Sequence, residues 1–342
     1  MFRREVLPPL EIQRKPPRDR GSMKKGDCDT MKKFLALILT LAMALSVTAC
    51  GGSDDTADDT ADGEGAGTEE TVDYSAMSDD ELKAAITTIT EGTLKVATSP
   101  DFAPYEFYAI DESGNAQLAG FEMSLAQYIA DYLGLTLEIT PMDFDGTLME
   151  LQSKTVDLGM AGYSPDPDRE SIMDFSDIFY EGGQSFVTTQ DKADLFTSLE
   201  DTNNPDYSIG AQNGSIQADL ANTNSPDSDV VLLPKVTDIV TDLLAGNLDG
   251  AYIETVVAET YAKNYPELNV LLDVPYEQEG SVVGVSKGNA ALLEGVNRAI
   301  AAALEDGTMD EFITQANELA SGETYEGLLD ENGQVAETPA EG

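Results

Sequence analysis

Residues 144–170 read FDGTLMELQSKTVDLGMAGYSPDPDRE. Around Gly146 to Ser153, Leu148 and Leu151 fall at helical spacing, and the apolar run Val156 to Ala161 that follows has the length and character of a buried strand. The same pattern returns 92 positions later, where Leu148, Leu151, Val156 and Asp157 find counterparts in Val240, Leu243, Leu248 and Asp249. A helix running into a buried strand, twice over, predicts βαβ units and a mainly parallel sheet.

Working outward, Ser78 is an N-cap for a helix over Asp79 to Thr90, and Leu94 to Ser99 is a strand entering the rigid loop Pro100-Asp101-Phe102-Ala103-Pro104. Phe121, Leu125, Tyr128, Ile129, Tyr132 and Leu133 recur at helical spacing and stop at Gly134, as a C-capped helix does. Leu135 to Thr140 is the next strand. Strands at Ser208 to Ala211, Val230 to Leu233 and Gly250 to Ile253 then alternate with helices at Ser215 to Asn222, Thr237 to Ala245 and Thr255 to Asn264. The hydrophobic segment Gln184 to Thr189 separates the two blocks, and Gly280 to Val285 precedes two closing helices. The expected architecture is α/β, two lobes joined by two crossing strands with a cleft between them, the first lobe taking 78–185 and 280–325 and the second 186–279. Ligands of open α/β sheets sit beyond the carboxyl ends of the strands.

The 342 residues carry 64 Asp and Glu against 19 Lys and Arg, a net charge of −45. Ten of the bases but five of the acids fall within residues 1 to 50, so the remainder holds nine bases against 59 acids. Such a body is repelled by phosphate backbones, which excludes nucleic acid as a partner. His and Trp are absent. Met31-Lys32-Lys33 precedes sixteen uncharged residues, Phe34 to Ala49, which is the grammar of a signal peptide over 31–49 and is short for a membrane span. Residues 1–30 do not read as a domain, and translation is expected to start at Met31. Val47-Thr48-Ala49-Cys50-Gly51 resembles a lipoprotein cleavage box, making Cys50 the lipidated N-terminus. An acidic tether over 50–77 and an acidic tail over 326–342 complete the chain. With Cys28 removed and Cys50 lipidated, no disulfide is expected within the mature chain.

At the end of the strand Val156 to Ala161 stand Ala161, Gly162, Tyr163 and Ser164, and five residues beyond Ser164 stands Arg169, one of two arginines past residue 50. A guanidinium grips a carboxylate through a planar fork. A salt bridge to one of the many acids is its plain alternative. Arg298, the other arginine, reads as a surface or packing residue. Ser215, Ile216 and Gln217 open a helix whose free N–H groups attract anions, although Ser215 is equally an ordinary cap. Glu254 ends a strand and can face an ammonium. Phe102 and Phe144 stand beside strand ends, as ligand walls or as core.

From about Thr93 to Leu319 the ordered segments VATSPDFAPYEF, GFEMSLAQYIADYLG, FDGTLMELQSKTVDLGMAGYSPDPDRESIMDFSDIFY, IGAQNGSIQADL and LLAGNLDGAYIETVVAE resemble the family 3 extracellular solute-binding proteins, receptors of polar-amino-acid ABC importers. The resemblance implies a type II periplasmic-binding-protein fold, with Arg169 on the ligand carboxylate beside Ala161, Gly162, Tyr163 and Ser164. It adds donors from Ser215, Ile216 and Gln217, the amine on Glu254, and Phe102 and Phe144 as walls. Glu254 departs from the usual Asp of the family, and Ala161 from the hydroxyl residue many relatives carry. The implied protein is a monomer on the extracellular face of a bacterial cell membrane, held by its lipid, taking a polar amino acid to an ABC permease. It uses no cofactor and no metal. A sensory receptor and a dehydratase-type enzyme on the same fold are the alternatives. Absence of His argues against general acid–base catalysis, and absence of a D-x-[DN]-x-[DN]-G loop against a Ca²⁺ scavenger.

Overall fold

A computed structural model describes residues 72–111, 113–277, 280–322 and 324–325. Residues 1–30, the signal segment 31–49, Cys50, the tether as far as residue 71 and the tail 326–342 lie outside them. The described chain is already ordered at Tyr74–Ala76, a 3₁₀ turn inside the stretch expected as tether. Asp73 caps that turn through its side chain, and Arg298 donates to the carbonyls of Tyr74 and Ser75.

Helix α1 (Asp79–Ala85) opens with a capping box in which Ser78 and Glu81 satisfy each other's N–H groups. It stops at Ala85 rather than running to Thr90, because the following Ile86, Thr87, Thr88, Ile89 and Thr90 are all β-branched. Next come β1 (Thr93–Thr98), β2 (Asp101–Phe102), β3 (Glu106–Ile110) and β4 (Ala116–Ala119). Helix α2 (Phe121–Leu133) ends at Gly134, whose φ of 73° supplies the left-handed cap. The first lobe continues with β5 (Thr136–Pro141), α3 (Phe144–Gln152), β6 (Leu158–Gly159) and β7 (Met173–Phe175). The second contains β8 (Gln184–Thr189), β9 (Ser208–Gln212), α4 (Ile216–Asn224), β10 (Asp229–Leu233), α5 (Val236–Ala245), β11 (Gly250–Glu254), α6 (Thr255–Asn264) and β12 (Leu268–Asp273). The chain returns through β13 (Gly284–Ser286), α7 (Ala290–Glu305), α8 (Thr308–Ala320) and β14 (Thr324–Tyr325).

Two five-stranded sheets result, ordered β5-β1-β6-β13-β7 and β10-β9-β11-β8-β12. In each, four strands run in one direction and a single strand, β13 or β8, runs against its two neighbours, so the sheets are mainly parallel, as expected, with one antiparallel strand apiece. The first sheet is completed by β13, which arrives only after the second lobe has been built. Strand β8 lies wholly in the second sheet, and the crossing between lobes is the antiparallel bridge of Tyr180 with Ser281. Helix α2 buries Leu125, Ile129 and Leu133 against Val296, Ile300 and Phe312 of the two closing helices.

The repeat seen in the sequence has a physical counterpart. The Asp157 N–H donates to the Lys95 carbonyl at 2.9 Å, and its carboxylate accepts the N–H groups of Lys95 and Ile89, both at 2.9 Å. Asp249 does the same with Ser208, donating at 2.8 Å and accepting at 2.9 Å, and it also takes Lys192 Nζ at 2.9 Å. Each carboxylate thus satisfies the backbone near the entry of the first parallel strand of its lobe. Asp157→Ala and Asp249→Ala should each cost about 1–3 kcal/mol by stranding those N–H groups, read as a lower urea midpoint. Wild-type unfolding of either variant would contradict the shared role.

Candidate functional site

Strand ends of both lobes converge where the sheets face each other. Arg169 ends the 3₁₀ turn Pro167–Arg169 and is 7% exposed. Its Nη2 donates to the Gly214 carbonyl at 3.0 Å, and its Nε lies 3.3 Å from Asp166 Oδ2. The guanidinium carbon sits 5.7 Å from the centre of the Phe144 ring. Burial pulls the guanidinium's pKa down, and the Asp166 carboxylate opposes that; it remains a cation. Asn213 Nδ2 donates to Asp145 at 3.0 Å, a second bond between the first lobe and the loop before α4, this one to α3. First-lobe Phe144 and Arg169 are therefore brought against second-lobe Gly214 and Ser215.

Ser215 caps α4, accepting the Ala218 N–H at 3.3 Å and donating to the Gln212 carbonyl at 2.7 Å, so its hydroxyl is engaged locally. The N–H groups of Ile216 and Gln217 occupy the first helical turn, where an α-helix offers no internal acceptor. The Gln217 side chain turns inward to donate to Gln184 at 2.8 Å.

Ala161 and Tyr163 are placed differently from the expectation. Both pack in the first-lobe core with Leu151, Val156 and Met173, and the Tyr163 hydroxyl donates to Thr147 at 2.5 Å. Gly162, at φ +62°, lies beneath the Phe102 ring, where a Cβ would stand 2.6 Å from the nearest ring carbon, so no larger residue fits. Its N–H donates to Glu122 Oε2 at 3.1 Å. Ser164 is buried beside it.

Glu254 closes β11 and caps α6. Oε2 accepts the Val257 N–H at 2.9 Å, while Oε1 accepts the Gly183 N–H and the Tyr105 hydroxyl, both at 3.3 Å. Tyr105 also meets Ser281 Oγ at 3.1 Å, which sets Glu254 beside the crossing between lobes. Burial raises the Glu254 pKa to about 7. Arg298 is tied to Glu294 and Asp79, both at 2.8 Å, on the outside of the first lobe.

Three further groups join this region that residue type alone did not single out. Glu106 and Glu122 are fully buried and hydrogen-bonded to each other. Were both ionised, three of their oxygens would have no donor; one proton between them satisfies two of the three. Burial pushes both pKa values up, Glu122 to about 7. Asp101 is buried between the lobes, its pKa raised to about 6 by that burial. Acids embedded among aromatic and apolar neighbours, PDFAPYEF and GFEMSL, were the available signal.

The profile of the bacterial extracellular solute-binding proteins, family 3, matches residues 94–316. The chain belongs to this family. The family member described here is 28% identical over 284 residues to the arginine-binding extracellular protein ArtP of Bacillus subtilis, covering 82% of this chain and 96% of that one. Among solved structures, it superposes with a TM-score of 0.65 and 31% identity on AbpA, an amino acid ABC transporter substrate-binding protein of Streptococcus pneumoniae bound to L-arginine. That match covers 71% of this chain and all of the other. Cyclohexadienyl dehydratase of Pseudomonas aeruginosa is 25% identical over 177 residues, 52% of this chain and 65% of that one. The fold is the two-lobed type II architecture, and the relatives place the chain with amino acid transport by ABC transporters. Among the described residues there is no cluster of His, Cys, Asp and Glu able to hold a metal, and no helix long and apolar enough to cross a membrane.

The buried acids set a pH dependence of stability. Glu122 and Glu254 hold protons more tightly folded than unfolded, so their contribution is full below about 4.5 and is lost as pH rises to about 7. Asp101 acts likewise between 3.8 and about 6. Exposed Asp79, Asp201 and Asp306, lowered by bonds from Arg298, Thr197 and Thr308, act oppositely and lose their contribution as pH falls below 3.8. The urea midpoint should peak at about pH 4 to 4.5 and decline toward pH 8; a midpoint that is flat or rising from pH 5 to 8 would contradict this.

Proposed function

We propose that the chain captures a polar L-amino acid between its lobes, with the α-carboxylate on Arg169 and the N–H groups of Ile216 and Gln217, and the ammonium toward Glu254. The observation that carries this reading is the buried Arg169 guanidinium reaching 3.0 Å from the Gly214 carbonyl, just before the N-terminus of α4. A fixed cation and a helix N-terminus then converge from opposite lobes on one small space, which suits a carboxylate. A guanidinium has five N–H donors, and its two described contacts engage two of them. The Phe144 ring under the guanidinium, and Phe102 over Gly162, supply apolar surface. Glu254 is about half protonated near neutrality, and an arriving ammonium favours its charged form, releasing a proton.

L-Arginine is the first ligand to test, because ArtP and AbpA are named for or bound to it. Closure removes water from these charge pairs, which strengthens them. The closed form is then what a membrane permease reads. Anchoring through a lipid on Cys50 at the extracellular face of the cell membrane rests on the signal grammar and on Val47-Thr48-Ala49-Cys50.

A dehydratase reading has one favourable observation, a carboxyl group held near pH 7 in the cleft, suited to act as a general acid. Binding needs no such group to turn over, and ArtP and AbpA are binding proteins. Calorimetry of the full chain against the twenty L-amino acids and cystine tests the capture reading. Arg169→Ala should abolish the heat, while Arg298→Ala should leave it unchanged; equal effects would remove Arg169 from the site.

A further inference from the structure

Helix α5 begins badly. Its N-cap position is Lys235, whose side chain makes no capping bond and whose ammonium stands at the positive end of the helix dipole. Yet the first helical N–H, that of Val236, has an acceptor 2.6 Å away, and it comes from the other lobe: Oδ2 of Asp101. The same oxygen accepts Gln212 Nε2 at 3.3 Å, and the Asp101 backbone carbonyl accepts the Tyr261 hydroxyl at 3.2 Å. All three donors belong to the second lobe. On its own side, Asp101 is steadied by Ser99 Oγ at 2.7 Å. The residue is 7% exposed.

We infer that Asp101 is an interlobe latch: a first-lobe carboxylate that supplies the missing N-cap of second-lobe helix α5, so that the helix is complete only when the cleft is shut. Opening the lobes strips Val236 of its acceptor and exposes the carboxylate to water. Closing reverses both. The latch sits between Phe102, its neighbour in β2, and Gln212, which accepts the Ser215 hydroxyl through its carbonyl, so it acts beside the proposed ligand site without belonging to it. Its effect is on how long the closed form lasts. This inference rests on the capture reading for its kinetic consequence, but the contact itself does not depend on which ligand is held.

Three variants of the full chain test it: Asp101→Ala, Asp101→Asn and Val236→Pro. Alanine removes the cap, and losing an N-cap corresponds to about a fivefold shift in equilibrium. L-Arginine should therefore dissociate about fivefold faster from Asp101→Ala with its association rate nearly unchanged, since closure governs release. Asparagine, itself a good N-cap, should stay close to wild type. Proline is compatible with the first helical position and with the extended Lys235 before it, but carries no N–H. Val236→Pro should lose at least as much as Asp101→Ala, and the double variant no more than Val236→Pro alone. Amide hydrogen exchange of ligand-free chains supplies a second arm, with the start of 236–245 exchanging faster in Asp101→Ala and not in Asp101→Asn. Where L-arginine binds, an unchanged dissociation rate in Asp101→Ala overturns the latch. Where wild type gives no heat with L-arginine, that ligand fails, and unchanged exchange in Asp101→Ala is what overturns the latch.

Discussion

A guanidinium taken out of water in a body with 59 acids must be held by something other than water, and most of the cleft is arranged around that requirement. Arg169 has Asp166 at 3.3 Å from its own turn, the Gly214 carbonyl at 3.0 Å from the opposite lobe, and the Phe144 ring beneath it. Removing one partner of a buried charge costs several kcal/mol, more than a surface ion pair contributes. Phe144 in turn meets Tyr163 edge to face at 5.7 Å, and Tyr163 is bonded to Thr147. The position of the cation is thus transmitted from the core of the first lobe. On the second lobe, Gly214 is followed by the cap Ser215, which fixes the helix N-terminus facing it.

The acids follow a different logic. Instead of being paired with bases, which are scarce, the buried ones are kept partly protonated or bonded to backbone N–H groups. Burial holds the facing carboxyls of Glu106 and Glu122 above their usual range, and Glu122 accepts the Gly162 N–H under Phe102. Glu254 is satisfied by Val257, Gly183 and Tyr105. Asp101 is satisfied by Ser99, Gln212 and Val236. Dense surface acidity and an interior of neutral or N–H-bonded carboxyls coexist because desolvation disfavours the charged form only where water is excluded.

The large periodic elements were legible in the sequence, since their signals are local. Helix α2 announced itself by apolar spacing and Gly134, and α6 by its place after an apolar strand. The duplicated Asp157 and Asp249 marked the two-lobed plan, and the acceptor bonds to Lys95 and Ser208 show why both positions carry Asp. Strands β2, β3 and β4 were not visible, because Pro104 and short irregular runs hide any alternation. Strands β13 and β8 are antiparallel for a reason no window contains: the chain leaves the first lobe and comes back. Arg169 stood out because arginine is rare here, and the structure buries it against second-lobe Gly214. The core placement of Ala161 and Tyr163 follows a left-handed bend at Gly162, which no local alternation announces. The roles of Asp101 and Glu122 depend on partners 135 and 40 residues away and could not be read locally.

The proposed placement of the ligand carboxylate on Arg169 ties these features to function. Calorimetric titration of the full chain with each free L-amino acid and with its α-carboxamide tests that placement most directly. One or more free amino acids should give saturable heat, and the matching carboxamide, which keeps the ammonium and side chain but has no anion, should give none. A carboxamide bound as tightly as its parent acid would show that the cleft does not recognise its ligand through that arginine.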